Sequence, residues 1–320
     1  MLLTYVLLLA GFVILIKGAD FLVNGASSIA KKYGISNLAI GLTVVAFGTS
    51  MPELIVSLLS ALNGKSDASF GNVVGSNNFN LLLILGIAGL IYPLVVQRNT
   101  VKYEVPLSLL AAAILFLLVN DVMFFGGEVN LLGRVDSIIL LVFFGLFMFY
   151  VYRTMKQSPD ANEGEAIKIY SVGLSIGMVV LGLGMLVGGG KLVVDSAIAI
   201  AKQYGLSEKL IGLTILAAGT SLPELATSAV AAYRRNTDIA IGNVIGSCIF
   251  NIFFILGITG LVSPIPYNVE LNFDLIILIS STLLLMIFMF TINRDKLDRW
   301  EAFILLTGYI TYTLYLVSLG

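Results

Sequence analysis

The sequence contains no histidine and a single cysteine, Cys248, among its 320 residues. Without histidine, a common metal ligand and the usual proton carrier near neutral pH are both missing. One cysteine excludes an internal disulfide and a cysteine metal cluster, so redox chemistry is not expected. Any chemistry must therefore use carboxylates, amides, hydroxyls and backbone carbonyls.

Charged residues are also scarce. Only 12% of the residues are charged and 58% are hydrophobic, and the mean hydropathy is +1.00. This composition lies outside the range of soluble globular domains and indicates an integral membrane protein in contact with lipid. No basic stripe suggests a nucleic-acid partner.

Long apolar runs dominate the chain. A bilayer core of about 30 Å needs about 20 apolar residues per helix. We predict an all-α integral membrane protein with ten transmembrane helices, at residues 2–23, 38–62, 69–92, 104–121, 133–154, 169–195, 208–233, 239–262, 271–291 and 300–318. No positive charge precedes the first run and no small-residue cleavage site follows it, so we expect a permanent helix and not a secretory signal.

The loops predict the orientation. Lys and Arg are more frequent in every second loop, among them Lys31, Lys32, Arg234 and Arg235, and cytoplasmic loops carry this excess. We therefore expect a multi-pass protein of the cell membrane with both termini extracytoplasmic. The longest polar segment predicts a cytoplasmic linker at residues 157–168, between a first transmembrane repeat (1–156) and a second (169–320).

The two halves are copies of one sequence. GLTVVAFGTSMPEL (Gly41–Leu54) returns as GLTILAAGTSLPEL (Gly212–Leu225), and GNVVGSNNFN (Gly71–Asn80) returns as GNVIGSCIFN (Gly242–Asn251), always 171 residues later. Each copy holds five predicted spans, and an odd number turns the second copy upside down in the membrane. The sequence thus predicts two inverted-topology five-helix repeats, the plan of many secondary transporters.

Glu53 and Glu224 occupy equivalent places near the middle of long apolar spans. A carboxylate at the centre of a membrane helix costs about 2.5–3.5 kcal/mol on insertion scales. These spans supply no nearby Lys or Arg. A bound cation is therefore the expected counter-charge.

Further oxygen ligands are predicted around the two glutamates. Pro52 and Pro223 should break their helices and release carbonyls in 46–49 and 217–220, which membrane proteins tolerate where backbone lines a cavity. Hydroxyls and amides at suitable spacing complete the predicted set, which comprises Thr49, Ser50, Thr220, Ser221, Ser76, Asn80, Ser247 and Asn251. An all-oxygen set suits Ca²⁺, and comparable oxygens can take Na⁺.

Structural interpretations compete with this one. Ser50 with Glu53, and Ser221 with Glu224, also fit a capping box at the start of a half-helix. Asn72 and Asn243 are expected to cap or start their helices, and Asp20 to pair with Lys17 near a helix end.

At the paired GTSMPE/GTSLPE and GNVVGS/GNVIGS motifs, the sequence resembles the sodium/calcium exchanger branch of the cation/calcium antiporter superfamily, particularly its compact prokaryotic members. The resemblance implies ten helices, alternating access and one Ca²⁺ site among Na⁺ sites. It places the central glutamates at Glu53 and Glu224, and implies the same hydroxyl and amide ligands. The carbonyl ligands it implies are those of Ala46 and Ala217.

One departure from relatives concerns Asn251, where some relatives, including potassium-dependent ones, carry Asp. We therefore expect exchange that does not depend on K⁺. The resemblance implies that this exchange is electrogenic. We also expect that the protein is not an enzyme, needs no cofactor and works as a monomer. The main alternative is a calcium/proton exchanger, since Glu can carry protons. A cation channel would show rings of charge or a carbonyl filter, and an intramembrane hydrolase would need a paired acid and base.

Overall fold

Helices make up almost all of the computed structural model, which describes residues 2–155, 168–204, 217–290 and 294–319. Among these described residues, eight helices are long and apolar enough to cross a membrane, and one bent pair of helices passes the same test together. The predicted linker 157–168 lies outside the described residues apart from Lys168. The seventh predicted span, 208–233, is described only from residue 217 onward.

Long helices alternate with short strands and turns in both halves. The first half contains helices and strands α1 (Leu2–Tyr33), α2 (Asn37–Thr49), α3 (Met51–Leu62), α4 (Ser66–Ile91), β1 (Leu94–Val95), α5 (Thr100–Leu118), α6 (Asp121–Phe125), β2 (Leu131–Leu132) and α7 (Arg134–Thr154). The second half contains α8 (Val172–Gln203), α9 (Ala217–Gly219), α10 (Leu222–Tyr233), α11 (Thr237–Val262), β3 (Ile265–Pro266), α12 (Val269–Phe288), β4 (Lys296–Leu297) and α13 (Arg299–Leu319).

The short strands join the two halves. β1 pairs antiparallel with β4, with Leu94 opposite Leu297, and β2 pairs antiparallel with β3, with Leu131 opposite Pro266. Each ladder connects a loop of the first half to a loop of the second. The halves are therefore tied together at two places outside the helices.

Helices α4 and α11 form the centre of the protein. In their apolar windows 72% and 94% of the residues are buried, against 17–39% in the other single-helix spans. A helix enclosed by other helices can bury polar side chains where neighbours satisfy them. α4 accordingly buries Ser76, Asn77, Asn78 and Asn80.

Helices α1 and α8 pack backbone against backbone. A Cβ atom on Gly18 would lie 2.9 Å from the carbonyl oxygen of Gly182, and one on Gly11 would lie 3.2 Å from that of Gly189. The order of these contacts shows that the two helices run antiparallel. Small residues permit this approach, which maximises van der Waals contact between membrane helices.

Both of these helices are longer than predicted. α1 and α8 contain 32 residues each, whereas the predicted spans were 2–23 and 169–195. At 1.5 Å per residue each helix is about 48 Å long, well beyond a bilayer core of about 30 Å. In α1 the added turns remain helical because small residues such as Ala26 and Ala30 are buried against the rest of the protein.

Polar contacts attach α1 to the turn after α10. Asp20 forms an ion pair with Arg234, so the expected pairing with Lys17 is wrong. Arg234 Nη1 also donates to Asn24 Oδ1 at 2.8 Å, and Asn236 Nδ2 donates to Ser27 Oγ at 3.0 Å. These residues lie far apart in the sequence, so helical spacing could not reveal their contact.

Candidate cation-binding site

The predicted helix break occurs at Ser50. Helices α2 and α3 meet there at an angle of 46°, and Pro52 lies in the first turn of α3. Proline has no N–H to donate to the carbonyl four residues back, which is that of Gly48. In the second half, α10 likewise begins directly after Ser221 with Pro223 in its first turn.

Both central glutamates are the third residue of a half-helix, α3 for Glu53 and α10 for Glu224. Their exposed fractions are 0% and 1%. The partial positive charge of a helix N-terminus favours a carboxylate in this position. In the part of the chain that the structure describes, neither glutamate has an ion-pair partner.

The two half-helices exchange hydrogen bonds across the site. The Ser50 hydroxyl donates to Glu224 Oε1 at 3.0 Å, and the Ser221 hydroxyl donates to Glu53 Oε1 at 2.9 Å. Neither serine side chain caps its own helix. The capping-box interpretation is therefore wrong for both serines, and the structure brings the two GTSxPE motifs together.

Helices α4 and α11 carry the predicted ligands Ser76, Asn80, Ser247 and Asn251. Ser76 Oγ lies 3.4 Å from Glu53 Oε1 and 2.9 Å from Ser221 Oγ. Asn80 and Asn251 lie in π-helical segments, Phe79–Ile84 and Phe250–Leu256. Such segments are rare and occur frequently at functional sites. Apolar periodicity does not distinguish a π-helical turn from an α-helical one, so the sequence did not predict these segments.

Several predicted ligand atoms are buried and lack a hydrogen-bond partner among the described residues. Buried polar atoms are nearly always hydrogen-bonded, and an exception calls for an explanation such as an ion or water. The atoms at this site are Glu53 Oε2, Glu224 Oε2, Ser247 Oγ, Asn251 Oδ1, and both Oδ1 and Nδ2 of Asn80. Their oxygens are suited to coordinate a cation.

The two predicted threonine ligands contact asparagines of the opposite repeat. Thr49 Oγ1 lies 3.0 Å from Asn243 Oδ1, and Thr220 Oγ1 lies 3.2 Å from Asn72 Oδ1. The Ala46 carbonyl accepts the Ser50 N–H at 3.0 Å. The same carbonyl also accepts from the Thr49 hydroxyl at 3.3 Å. Residue Ala217 is the first described after a gap, at the start of α9.

Asn72 and Asn243 do not cap helices, contrary to expectation, because both lie inside α4 and α11. Asn72 Nδ2 donates to the Glu53 carbonyl at 3.1 Å and to Ser57 Oγ at 2.8 Å. Asn243 Nδ2 makes the equivalent bonds to the Glu224 carbonyl at 3.3 Å and to Ser228 Oγ at 2.9 Å. Asn72 also contacts Thr220, and Asn243 also contacts Thr49. Each asparagine therefore links the GTSxPE motif of one repeat to that of the other. Their equal spacing from the glutamates was the only sequence signal of this role.

The donor set contains two carboxylates and otherwise neutral oxygens. No group of three or more His, Cys, Asp or Glu side chains able to hold a metal occurs among the described residues. Ca²⁺ takes six to eight oxygen ligands in flexible geometry, and transition metals usually take nitrogen or sulfur ligands. The residues present therefore fit Ca²⁺ or Na⁺ as cargo.

Comparison with protein families gives one match across both halves. The profile of the family described as sodium/calcium exchanger protein matches residues 3–153 and 174–318. CaxA of Alkalimonas amylolytica is 36% identical over 326 residues, which cover 99% of this chain and 100% of that protein. The sodium/calcium exchanger MaX1 of Methanosarcina acetivorans is 33% identical and covers 98% of each chain.

A solved structure has the same fold. The sodium-calcium exchanger NCX_Mj, in crystals soaked with Na⁺ and Sr²⁺, superposes with a TM-score of 0.82 at 31% identity, covering 97% of each chain. At this similarity, the helical arrangement described above is that of a known ion exchanger.

Proposed function

This chain belongs to the sodium/calcium exchanger protein family, and we propose that it exchanges Na⁺ for Ca²⁺ across the cell membrane by alternating access. It is a membrane antiporter of the cation/calcium class and not an enzyme. The observation that carries the proposal is the group of buried oxygens around Glu53 and Glu224 that have no hydrogen-bond partner in the part of the chain that the structure describes. Both ions would compete for these oxygens, which couples their movements.

The proposed architecture has ten transmembrane helices in two inverted repeats, residues 1–156 and 169–320, joined by the linker 157–168. The crossed contacts support it. The bond Ser50–Glu224 becomes the bond Ser221–Glu53 when each residue is replaced by its counterpart 171 positions away. The Asn72–Glu53 and Asn243–Glu224 bonds are related in the same way. The distribution of Lys and Arg supports extracytoplasmic termini. One chain contains both half-sites, so we propose that a monomer is functional.

We propose that α1 and α8 move together against a core built from α2, α3, α4, α10 and α11. The direct backbone contact of Gly18 with Gly182 supports joint movement, because no side chain separates the two helices. Neither helix carries a predicted ligand. Their movement would open the site to one side of the membrane and then to the other.

Flux in proteoliposomes tests the function. An outward-directed Na⁺ gradient is expected to drive ⁴⁵Ca²⁺ into the vesicles, because Na⁺ leaving the shared oxygens permits Ca²⁺ to bind. Removing K⁺ from both sides should leave uptake unchanged, because position 251 carries a neutral amide. Protein-free liposomes give the background. Equal uptake under a pH gradient without Na⁺ would favour the calcium/proton exchanger instead.

Transport is also expected to move net charge. If more than two Na⁺ exchange for one Ca²⁺, each cycle carries net positive charge across the membrane. A membrane potential of 100 mV changes the free energy of that movement by about 2.3 kcal/mol per elementary charge. The initial rate of Na⁺-driven Ca²⁺ uptake should therefore change when the membrane potential is clamped at opposite signs. A rate indifferent to voltage would indicate electroneutral exchange.

A further inference from the structure

Asn77 is a buried amide of α4 that contacts two residues of α11. Its Nδ2 donates to the backbone carbonyl of Cys248 at 3.2 Å, and its Oδ1 accepts from Asn251 Nδ2 at 2.9 Å. Asn77 is 0% exposed. It touches a candidate cation ligand without being one of the predicted ligands.

The chemistry of the groups sets the orientation of both amides. A backbone carbonyl can only accept, so the NH₂ group of Asn77 must face Cys248. The Asn77 oxygen then faces Asn251, and because it too can only accept, the NH₂ group of Asn251 must face it. This leaves Asn251 Oδ1 directed away from Asn77, and that atom has no hydrogen-bond partner among the described residues.

The other half lacks an equivalent arrangement. The residue 171 positions after Asn77 is Cys248, whose Sγ lies 4.0 Å from the Asn77 carbonyl oxygen. A thiol is only a weak donor and a weak acceptor. Asn80, the counterpart of Asn251, lies beside this thiol, but neither Oδ1 nor Nδ2 of Asn80 makes a hydrogen bond of normal geometry to a described residue.

We propose that Asn77 is a positioning residue for cation coordination: it holds the Asn251 amide with its oxygen toward the cation, whereas Cys248 leaves the Asn80 amide able to rotate. A ligand that is already oriented loses less conformational freedom on binding. The inference rests on the proposed function, because it takes Asn251 as a cation ligand. It adds that the two amide ligands are unequal.

Calcium binding to variants at position 77 tests the inference. Asn77→Leu removes both hydrogen bonds with a side chain of similar size. We expect the Kd for Ca²⁺, measured by calorimetry on the purified protein without Na⁺, to rise about tenfold, as is typical when a residue supporting a metal ligand is lost. Asn78→Leu is the matched control. Asn78 is equally buried but donates to the Asp274 carbonyl at 3.0 Å, so its loss should leave the Kd unchanged.

A double-mutant cycle separates positioning from general damage. If Asn77 acts through Asn251, Asn77→Leu should have no further effect on the Kd in an Asn251→Ala background. The same loss in both backgrounds would show a merely structural role and overturn the inference. A Kd for Asn77→Leu equal to that of the parent would also overturn it, with the proposed function intact. A parent protein that binds no Ca²⁺ would overturn the proposed function together with the inference.

If Asn77→Leu does not insert into the membrane, a second variant tests whether the two amide ligands are unequal. Cys248→Asn places an amide where the thiol now lies, within reach of the Asn77 carbonyl and the Asn80 amide. It should orient Asn80 as Asn77 orients Asn251 and lower the Kd for Ca²⁺ severalfold. An unchanged Kd in this variant would contradict the proposed difference between the two amides.

Discussion

Glu53→Gln and Glu224→Gln are each expected to abolish Na⁺-driven Ca²⁺ uptake while the protein still inserts and folds. Gln keeps an oxygen that can accept the serine hydrogen bond now made to Oε1, at 2.9 Å for Glu53 and 3.0 Å for Glu224. In the proposed site, Gln would remove one of the two negative charges that face Ca²⁺ and would lose bidentate coordination. Folding should not suffer, because an uncompensated buried charge is lost.

Three measurements check this expectation: ⁴⁵Ca²⁺ flux, the Kd for Ca²⁺, and the melting temperature without Ca²⁺. The flux should fall to the liposome background, and the melting temperature should stay equal or rise. Glu104→Gln is the matched control. Glu104 is also buried in a membrane helix, but its Oε1 accepts from the Tyr150 hydroxyl at 2.5 Å, away from the site. Exchange near the parent rate in either central variant would remove that glutamate from the site.

Cross-linking α1 to the end of α10 is expected to stop exchange. Asp20 and Arg234 are in contact, so cysteines at these positions can be joined by a short bifunctional thiol reagent. The link would prevent α1 from moving against the core that holds Glu224, and flux should fall to background. The native Cys248 is buried, which limits its reaction with the reagent.

A link between α1 and α8, which we propose to move together, is the control for this experiment. The hydroxyls of Tyr5 and Tyr204 lie 3.1 Å apart and join α1 to the residue that follows α8. If α1 and α8 move as one unit, cysteines cross-linked at these two positions should leave exchange close to the parent rate. Undiminished flux after the Asp20–Arg234 link would refute movement of α1 against α10. Loss of flux after both links would refute joint movement of α1 and α8.

The candidate ligands could be predicted from the sequence because each bears a local chemical signal. Glu53 and Glu224 are charges inside apolar runs, Pro52 and Pro223 interrupt helices, and these features recur 171 residues apart. Local signals also misled. The serine three residues before each glutamate resembles a cap, and nothing nearby shows that its hydroxyl is used by the other half.

The contacts that Asn72 and Asn77 make with the opposite repeat could not be predicted, since those partners lie far away in the sequence. Asn72 contacts Thr220, and Asn77 contacts Cys248 and Asn251. The sequence shows these asparagines only as polar residues beside a glycine-rich motif. An isolated repeat cannot make these contacts, so they exist only when the two repeats pack together.

By itself, the sequence determined the class of protein, most of its membrane helices, the duplication and the candidate cation ligands. These follow from transfer free energies and from side-chain chemistry, which belong to each residue wherever it lies. The tertiary structure alone decided the length of α1 and α8, the crossed bonds between Ser50 and Glu224 and between Ser221 and Glu53, and the different surroundings of Asn80 and Asn251. Each depends on contacts between segments far apart in the chain, and hydropathy and periodicity carry no information about such contacts.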